Sequence, residues 1–283
     1  MKKTIKSLLI VIILSAFAGC LPKSEIVIPT VRRTLVVDLR PGREVEEETT
    51  QQVAQLLSRE LEELPALEVR SASELTTEAG GTLRLPEEAD NTLVTPSELD
   101  SLDTQLYLIG TLDNLSIEPS ESGSPGERLG FHRDLATANI SLRLYLSTTG
   151  ELLATISATH EEFRVGEVIE TTTEFSETLA GRAAAGAIVK LLSKLTDTIN
   201  ASPWSGFVSE VTADDRLLLP LGYEQGAQTS DVFIIYSPSK TPGERGTRRG
   251  SVVVKTTAPT ESYALPLSGG SFTTGDLALQ QQP

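Results

Sequence analysis

The chain has 283 residues, with 24 Lys+Arg against 39 Asp+Glu and a formal charge of −15. So negative a balance repels phosphate backbones and argues against nucleic acid as a partner. One cysteine and two histidines exclude an internal disulfide, a thiolate metal cage and a histidine-rich metal site.

Met1 to Gly19 has the layout of an export signal. Lys2, Lys3 and Lys6 precede an apolar run, Leu8 to Leu14, and small residues follow it. The run is short for a bilayer span and is flanked as a signal peptide is. Phe17-Ala18-Gly19-Cys20 resembles the bacterial lipobox. That resemblance implies cleavage before Cys20 and acylation of its thiol and new amine. Three acyl chains exceed what stable anchoring needs, so the chain is expected to be tethered to the membrane rather than to span it. Removing the signal takes away three lysines and no acidic residue, which makes the body still more acidic. Leu21, rather than Asp, follows Cys20. By resemblance to the enterobacterial sorting rule, this implies an outer-membrane address facing the periplasm.

Residues 21–33 read as a short tether. Thr34–Leu39 is a β-branched apolar run that predicts a buried strand, broken at Arg40-Pro41-Gly42. Val53, Leu56, Leu57, Leu61 and Leu64 recur at helical spacing and predict a helix over Glu46–Leu64. Glu46, Glu47 and Glu48 fill its first turn, where the helix dipole favours anions. Pro65 ends it, and Leu67–Ser71 reads as a second strand, completing a β-α-β unit. Residues 76–98 read as a loop. Gln105–Leu115 is apolar on both faces near Leu106–Ile109, the pattern of a central strand. Ile117–Gly130 is rich in Pro, Gly and Ser and reads as a loop.

A hairpin follows. Ala136, Ala138, Ile140, Leu142, Leu144 and Leu146 alternate with polar residues, Thr149-Gly150 supplies a turn, and Leu152 to Ala158 alternate on the return. The spacing of Phe175, Leu179, Ala183, Ala187, Leu191, Leu195 and Ile199 predicts a helix over Glu174–Asn200, whose small residues suit close packing on a sheet. After Trp204 the helical period is gone. Six short β-rich runs remain, Phe207–Val211, Arg216–Leu219, Val232–Tyr236, Ser251–Lys255, Tyr263–Leu267 and Leu277–Leu279, punctuated by Gly and Pro.

Catalytic and cofactor signatures are absent: there is no strand-linked GxGxxG, Walker loop, HExxH or GxSxG. Ser237-Pro-Ser-Lys240 has the spelling of the SxxK motif, but that motif needs a helix start, and Pro238 and Pro242 predict a loop. His132 and His160 read as structural. The cluster Arg245, Arg248 and Arg249 stands out in an acidic chain. It reads first as a solvated hairpin tip and, on the functional reading, as a contact for an anionic partner.

The order of these elements resembles the TolB amino-terminal-type domain shared by the curli secretion channel family and the penicillin-binding-protein activator lipoproteins. Asp103-Thr-Gln-Leu-Tyr-Leu-Ile-Gly-Thr-Leu112 and Ser141-Leu-Arg-Leu-Tyr-Leu-Ser-Thr-Thr-Gly-Glu-Leu-Leu153 resemble its strand and hairpin motifs. Pro203-Trp204 to Val208, followed by Gly222, Gly226 and Asp231-Val-Phe233, resembles the carboxyl-terminal β-domain of flagellar assembly protein T. Gly270, Gly275 and Asp276-Leu277 resemble a second copy. The sequence departs from that pattern at Ser230, where a glycine is expected before the aspartate.

The fold class expected is α+β: a mixed sheet with helices packed on it, followed by a small all-β barrel-like domain. The expected divisions are a signal peptide (1–19), a lipidated tether (20–33), an α/β domain (34–202) and a β-domain (203–283). The resemblance implies a non-enzymatic envelope assembly or scaffold protein without cofactor or catalytic residues, a component of a flagellar ring or a secretion machine. Its expected partners are the membrane, through Cys20, other envelope proteins and further copies in a ring. Two alternatives are an activator of a penicillin-binding protein and an oligomeric outer-membrane secretion pore. Such activators usually carry a long tether, which the residues before Thr34 do not supply.

Overall fold

The computed structural model describes residues 33–64, 67–72, 104–119, 133–165, 174–239, 241 and 244–281. The expected fold class holds. A mixed five-stranded sheet carries two helices, and a seven-stranded antiparallel half-barrel follows it in the chain.

The first sheet contains β1 (Arg33–Pro41), β2 (Leu67–Ser71), β3 (Leu106–Pro119), β4 (Arg133–Leu146) and β5 (Leu152–Val165). Its order is β2-β1-β3-β4-β5. Strand β1 runs parallel to both β2 and β3, and the rest is antiparallel. Helix α1 (Glu47–Glu62) crosses from β1 to β2 and buries Val53, Leu56, Leu57 and Leu61. The chain turns at Gly42 rather than at Pro41. The Gly42 N–H donates to Leu112 O at 2.9 Å, and a Cβ there would fall 2.6 Å from that oxygen.

Strand β3 is central, as its two-sided apolarity predicts. Leu106 and Leu108 enter the core under the helices, and Tyr107 and Ile109 are buried on the other face. The strand runs beyond the expected limit. Ile117, Glu118 and Pro119 pair with Ala136, Leu135 and Asp134 after a bulge between Leu112 and Asn114. A partner strand already in register thus overrides a loop-like composition, and the loop reading fails for 117–119. Residues 120–130 and the 76–98 segment lie outside the described residues.

The alternating residues Ala136 to Leu146 of β4 are all buried against the helices. Helix α2 (Leu179–Ala201) begins after a short 3₁₀ turn at Phe175–Glu177. Thr178 caps it by accepting from the Gly181 N–H at 3.0 Å, the arrangement that satisfies an otherwise orphan donor. Gly186 lies against the ring of His160, close enough that a Cβ would meet it at 2.2 Å. His160 therefore packs under a helix within β5, which continues to Val165.

The second sheet contains β6 (Ser205–Phe207), β7 (Glu210–Val211), β8 (Leu217–Leu219), β9 (Val232–Tyr236), β10 (Arg248–Thr257), β11 (Ser262–Gly269) and β12 (Leu277–Gln280). Its order is β6-β12-β9-β10-β11-β8-β7. Its own core holds Trp204, Phe233, Ile235, Val252, Val254 and Ala278. The Trp204 and Phe233 rings meet edge to face with centroids 5.6 Å apart.

The two cores touch through β12. Ala278 faces the second core, while Leu277 and Leu279 belong to the core of the first sheet, with Phe207 and Tyr236 packed beside them. Alternation along one strand therefore supplies both cores. The junction is also polar. Thr148 Oγ1, in the β4–β5 turn, donates to Ser205 Oγ at 2.8 Å. The guanidinium of buried Arg33 donates to the carbonyls of Ile199 and Ser202 at the end of α2, where a helix leaves acceptors unmet. Burial lowers the Arg33 pKa to about 10, so the group stays cationic at neutral pH, as the negative end of the helix dipole favours.

Candidate functional site

Cys20 and His132 lie outside the described residues, and so does Lys240 of the Ser237–Lys240 stretch. Ser237 follows β9 in an extended segment, where its Oγ accepts from the Thr247 N–H at 3.0 Å.

The three arginines, close together in sequence, go to three different surroundings. Arg245 pairs with Glu151 of the β4–β5 turn at 3.1 Å and so bridges the two sheets. Arg249 pairs with the fully buried Asp276 at 3.0 Å and donates to Ser271 O at 2.7 Å. Arg248 is exposed on β10. Successive residues on a strand point to opposite faces, which parts Arg248 from Arg249.

Asp276 and Asp231 close the same turn twice. Asp231 Oδ2 accepts from the Gln228 N–H at 2.9 Å, and Asp276 Oδ2 accepts from the Thr273 N–H at 2.8 Å. In each turn the aspartate N–H returns a bond to the carbonyl of that same residue. The residue before each aspartate has positive φ, 86° at both Ser230 and Gly275. These turns lead into β9 and β12, which pair with each other. The repeat noted in sequence is thus a repeat of turn geometry.

Two concave regions stand out. A cleft of about 780 Å³ lies at the carboxyl ends of β1 and β2, beside α1. It is lined by Asp38, Arg40, Gln51, Gln55 and Arg59 among others, with Asp38 and Arg40 paired at 2.8 Å. Near it, Tyr107 is held well above the usual phenol range by burial first and by the Asp38 carboxylate second.

The second is a cavity of about 240 Å³ at the junction of the two sheets, on the side of the β4–β5 turn. Thr104, Gln105 and Thr148 line it from the first sheet, and Trp204, Ser205 and Phe207 from the second. Thr104 Oγ1, Gln105 Oε1 and Trp204 Nε1 are buried polar atoms with no hydrogen-bond partner in the protein. The residues that carry them are 3%, 6% and 1% exposed. Buried polar groups normally have partners, but these three atoms present no accessible surface to the cavity. No sequence signal could have found it, because Gln105 and Trp204 are far apart in the chain and belong to different sheets.

Among the described residues, no group of three or more His, Cys, Asp or Glu side chains could hold a metal ion. No described helix is long and apolar enough to cross a membrane.

No known family profile matches the chain, and no curated protein sequence matches it. Solved structures do resemble it in fold. The hypothetical protein CT253 from Chlamydia trachomatis is 8% identical, with a TM-score of 0.43, covering 60% of this chain and 99% of that one. A PelC dodecamer from Paraburkholderia phytofirmans is 14% identical, with a TM-score of 0.33, covering 59% and 89%. The lipoprotein GNA1162 from Neisseria meningitidis is 18% identical, with a TM-score of 0.35, covering 60% and 99%. At these identities the likeness is one of fold.

Proposed function

We propose that this chain is a lipid-anchored, non-enzymatic scaffold or assembly protein of the bacterial envelope, held at the outer membrane by acyl chains on Cys20. The observation that carries the reading is the signal layout ending at the chain's single cysteine. The first described residue adds to it. Arg33 is locked to the end of α2, so the body is fixed thirteen residues beyond the anchor. At about 3.4 Å per extended residue, the tether reaches at most about 45 Å. The proposed organisation is a signal over 1–19, a tether over 20–33, an α/β part over 34–202 and a β part over 203–283.

A more specific role follows from the resemblance to the TolB amino-terminal-type domain and to flagellar assembly protein T: a component of a flagellar ring or secretion machine, assembled as a ring of copies. A pore is less well supported. A membrane hairpin must turn an apolar face to lipid, and the apolar face of β4 is packed under the helices. Arg248, exposed on β10, is the member of the arginine cluster best placed to meet an acidic partner.

The test is Cys20→Ser. The variant is expected to move from the membrane fraction to the soluble periplasmic fraction and to lose acyl labelling. Retention in the membrane fraction without an acyl chain would overturn the anchor.

A further inference from the structure

We propose that the open edge of β5 is the contact surface for a second copy of this chain, the two strands pairing antiparallel about Ala158 and joining two five-stranded sheets. Such a contact closes at two copies, so it does not rest on the ring suggested above.

A sheet edge invites a further strand, and proteins usually keep edges short or blunt them with Lys, Pro or a bulge. Three of the four edges here are short: β2 has 5 residues, β6 has 3 and β7 has 2. Strand β5 has 14, with neither Lys nor Pro, and its register shift against β4 lies at its start. Among the described residues it pairs with β4 alone. Its backbone directions follow from the Leu146 N–H, which donates towards β5, to Glu151 O at 2.9 Å. These directions alternate along a strand. Leu144, Leu142 and Ile140 therefore also face β5, and their partners Ala154, Ile156 and Ala158 face back. Thr155, Ser157, Thr159 and Glu161 are left with their N–H and C=O groups turned outward, and all four residues are exposed. Lys190 Nζ of α2 reaches the outward Thr159 O at 2.8 Å, and that carbonyl keeps a second lone pair for a strand N–H.

The sequence of the strand selects its own copy as the occupant. The charged residues His160, Glu161, Glu162 and Arg164 all lie in its second half. Antiparallel pairing about the middle sets that half against the uncharged stretch Leu152–Thr159 of the mate. Parallel pairing in register would put Glu161 and Glu162 opposite their own kind, which is destabilising. Opposite residues must also share a face, so the two-fold axis passes through a residue rather than between two. Ala158 is the centre of the four outward residues, and about it Thr155 meets Glu161 and Ser157 meets Thr159. The half-buried Ala154, Ile156 and Ala158 gain cover along the same edge. On α2, Val189 is 61% exposed. It stands between Gly186, which lies against His160, and Lys190, which reaches Thr159. This apolar side chain is thus level with the middle of the edge.

The full chain in detergent, at ~0.15 M salt to screen its acidic body, is expected to sediment as a dimer. Ser157→Pro deletes an outward N–H that the β4 ladder does not use, and edge strands accept proline at such positions. The variant, folded by circular dichroism, is expected to raise the dimer dissociation constant at least about tenfold. Two further variants at exposed Thr155 test the register. Thr155→Glu sets two Glu–Glu pairs across the axis and is expected to weaken the dimer about threefold, whereas Thr155→Lys meets Glu161 and is expected to strengthen it. Should Ser157→Pro not fold, the Thr155 variants decide alone. The proposal fails if the chain stays single to about 100 µM, if folded Ser157→Pro leaves the dimer unchanged, or if the two Thr155 variants move the constant in the same direction. An assembly of more than two copies that survives Ser157→Pro refutes it equally.

Discussion

Replacing both Leu277 and Leu279 by alanine tests whether the last strand is a working part of the first core. Each leucine is 3% exposed and belongs to the cluster built from β1, β3, β4 and the two helices. A buried Leu→Ala change costs about 2–5 kcal/mol from lost transfer and the cavity left behind. The two sites are neighbours on one face, so their costs do not simply add. A combined loss of about 4–6 kcal/mol is a large share of the ~5–15 kcal/mol that stabilises a typical domain. The structure supplies two separate probes. Both long helices pack on the first sheet, so ellipticity at helical wavelengths follows that sheet. Trp204 sits in the second core, so its fluorescence follows the other. In urea, both transitions of the variant are expected to shift to lower midpoints. An unmoved helical transition beside a lowered tryptophan transition would refute the shared core. A chain ending at Ser202 should fold with the ellipticity of an α/β protein, but with a stability reduced by at least the same amount.

Ser230→Gly is expected to stabilise the protein by about 1 kcal/mol in a urea melt, because Ser230 holds φ at 86° where glycine is not penalised. Asp276→Ala should cost about 3 kcal/mol by the same assay, since it strips Arg249 and the Thr273 turn of a buried acceptor. Arg245→Ala, which breaks an exposed pair, should cost under ~1 kcal/mol. Tyr107 has a phenol pKa raised in the folded state, so the stability it contributes is fully present below the unfolded value near 10 and is lost as pH rises past it. Tyr107→Phe should therefore show a shallower alkaline loss of stability than the wild type, measured as urea midpoints on either side of that pH.

Where one periodicity dominated, the fold was legible. The alternation of β4 and the four-residue rhythm of α2 gave both elements to within a few residues, because each has one buried face and one wet one. Val232–Tyr236 and Leu67–Ser71 came out at their observed limits. Legibility failed where pairing outweighed composition, as at Ile117–Pro119, whose neighbours on β4 were already in place. It failed again where sequence neighbours part in space, as at Arg245, Arg248 and Arg249. The polar cavity was out of reach for a related reason. Its lining includes Thr104 and Gln105 ahead of β3 and Trp204 ahead of β6, and no local pattern joins them. The missing glycine at Ser230 was visible as a departure, but its left-handed backbone needed coordinates.

The position of β1 sets how the molecule bears load. If the proposed anchor on Cys20 is in place, tension enters the body at Arg33, where β1 begins. That strand lies between two parallel neighbours, bonded from Arg33 to Val37 on one side and from Leu35 to Pro41 on the other. Tension along it strains both ladders in shear, so many bonds must yield together rather than one after another. A pull on the edge strand β2 would meet a single ladder. Force entering at β1 would therefore have to break both ladders before the body could unravel from that end.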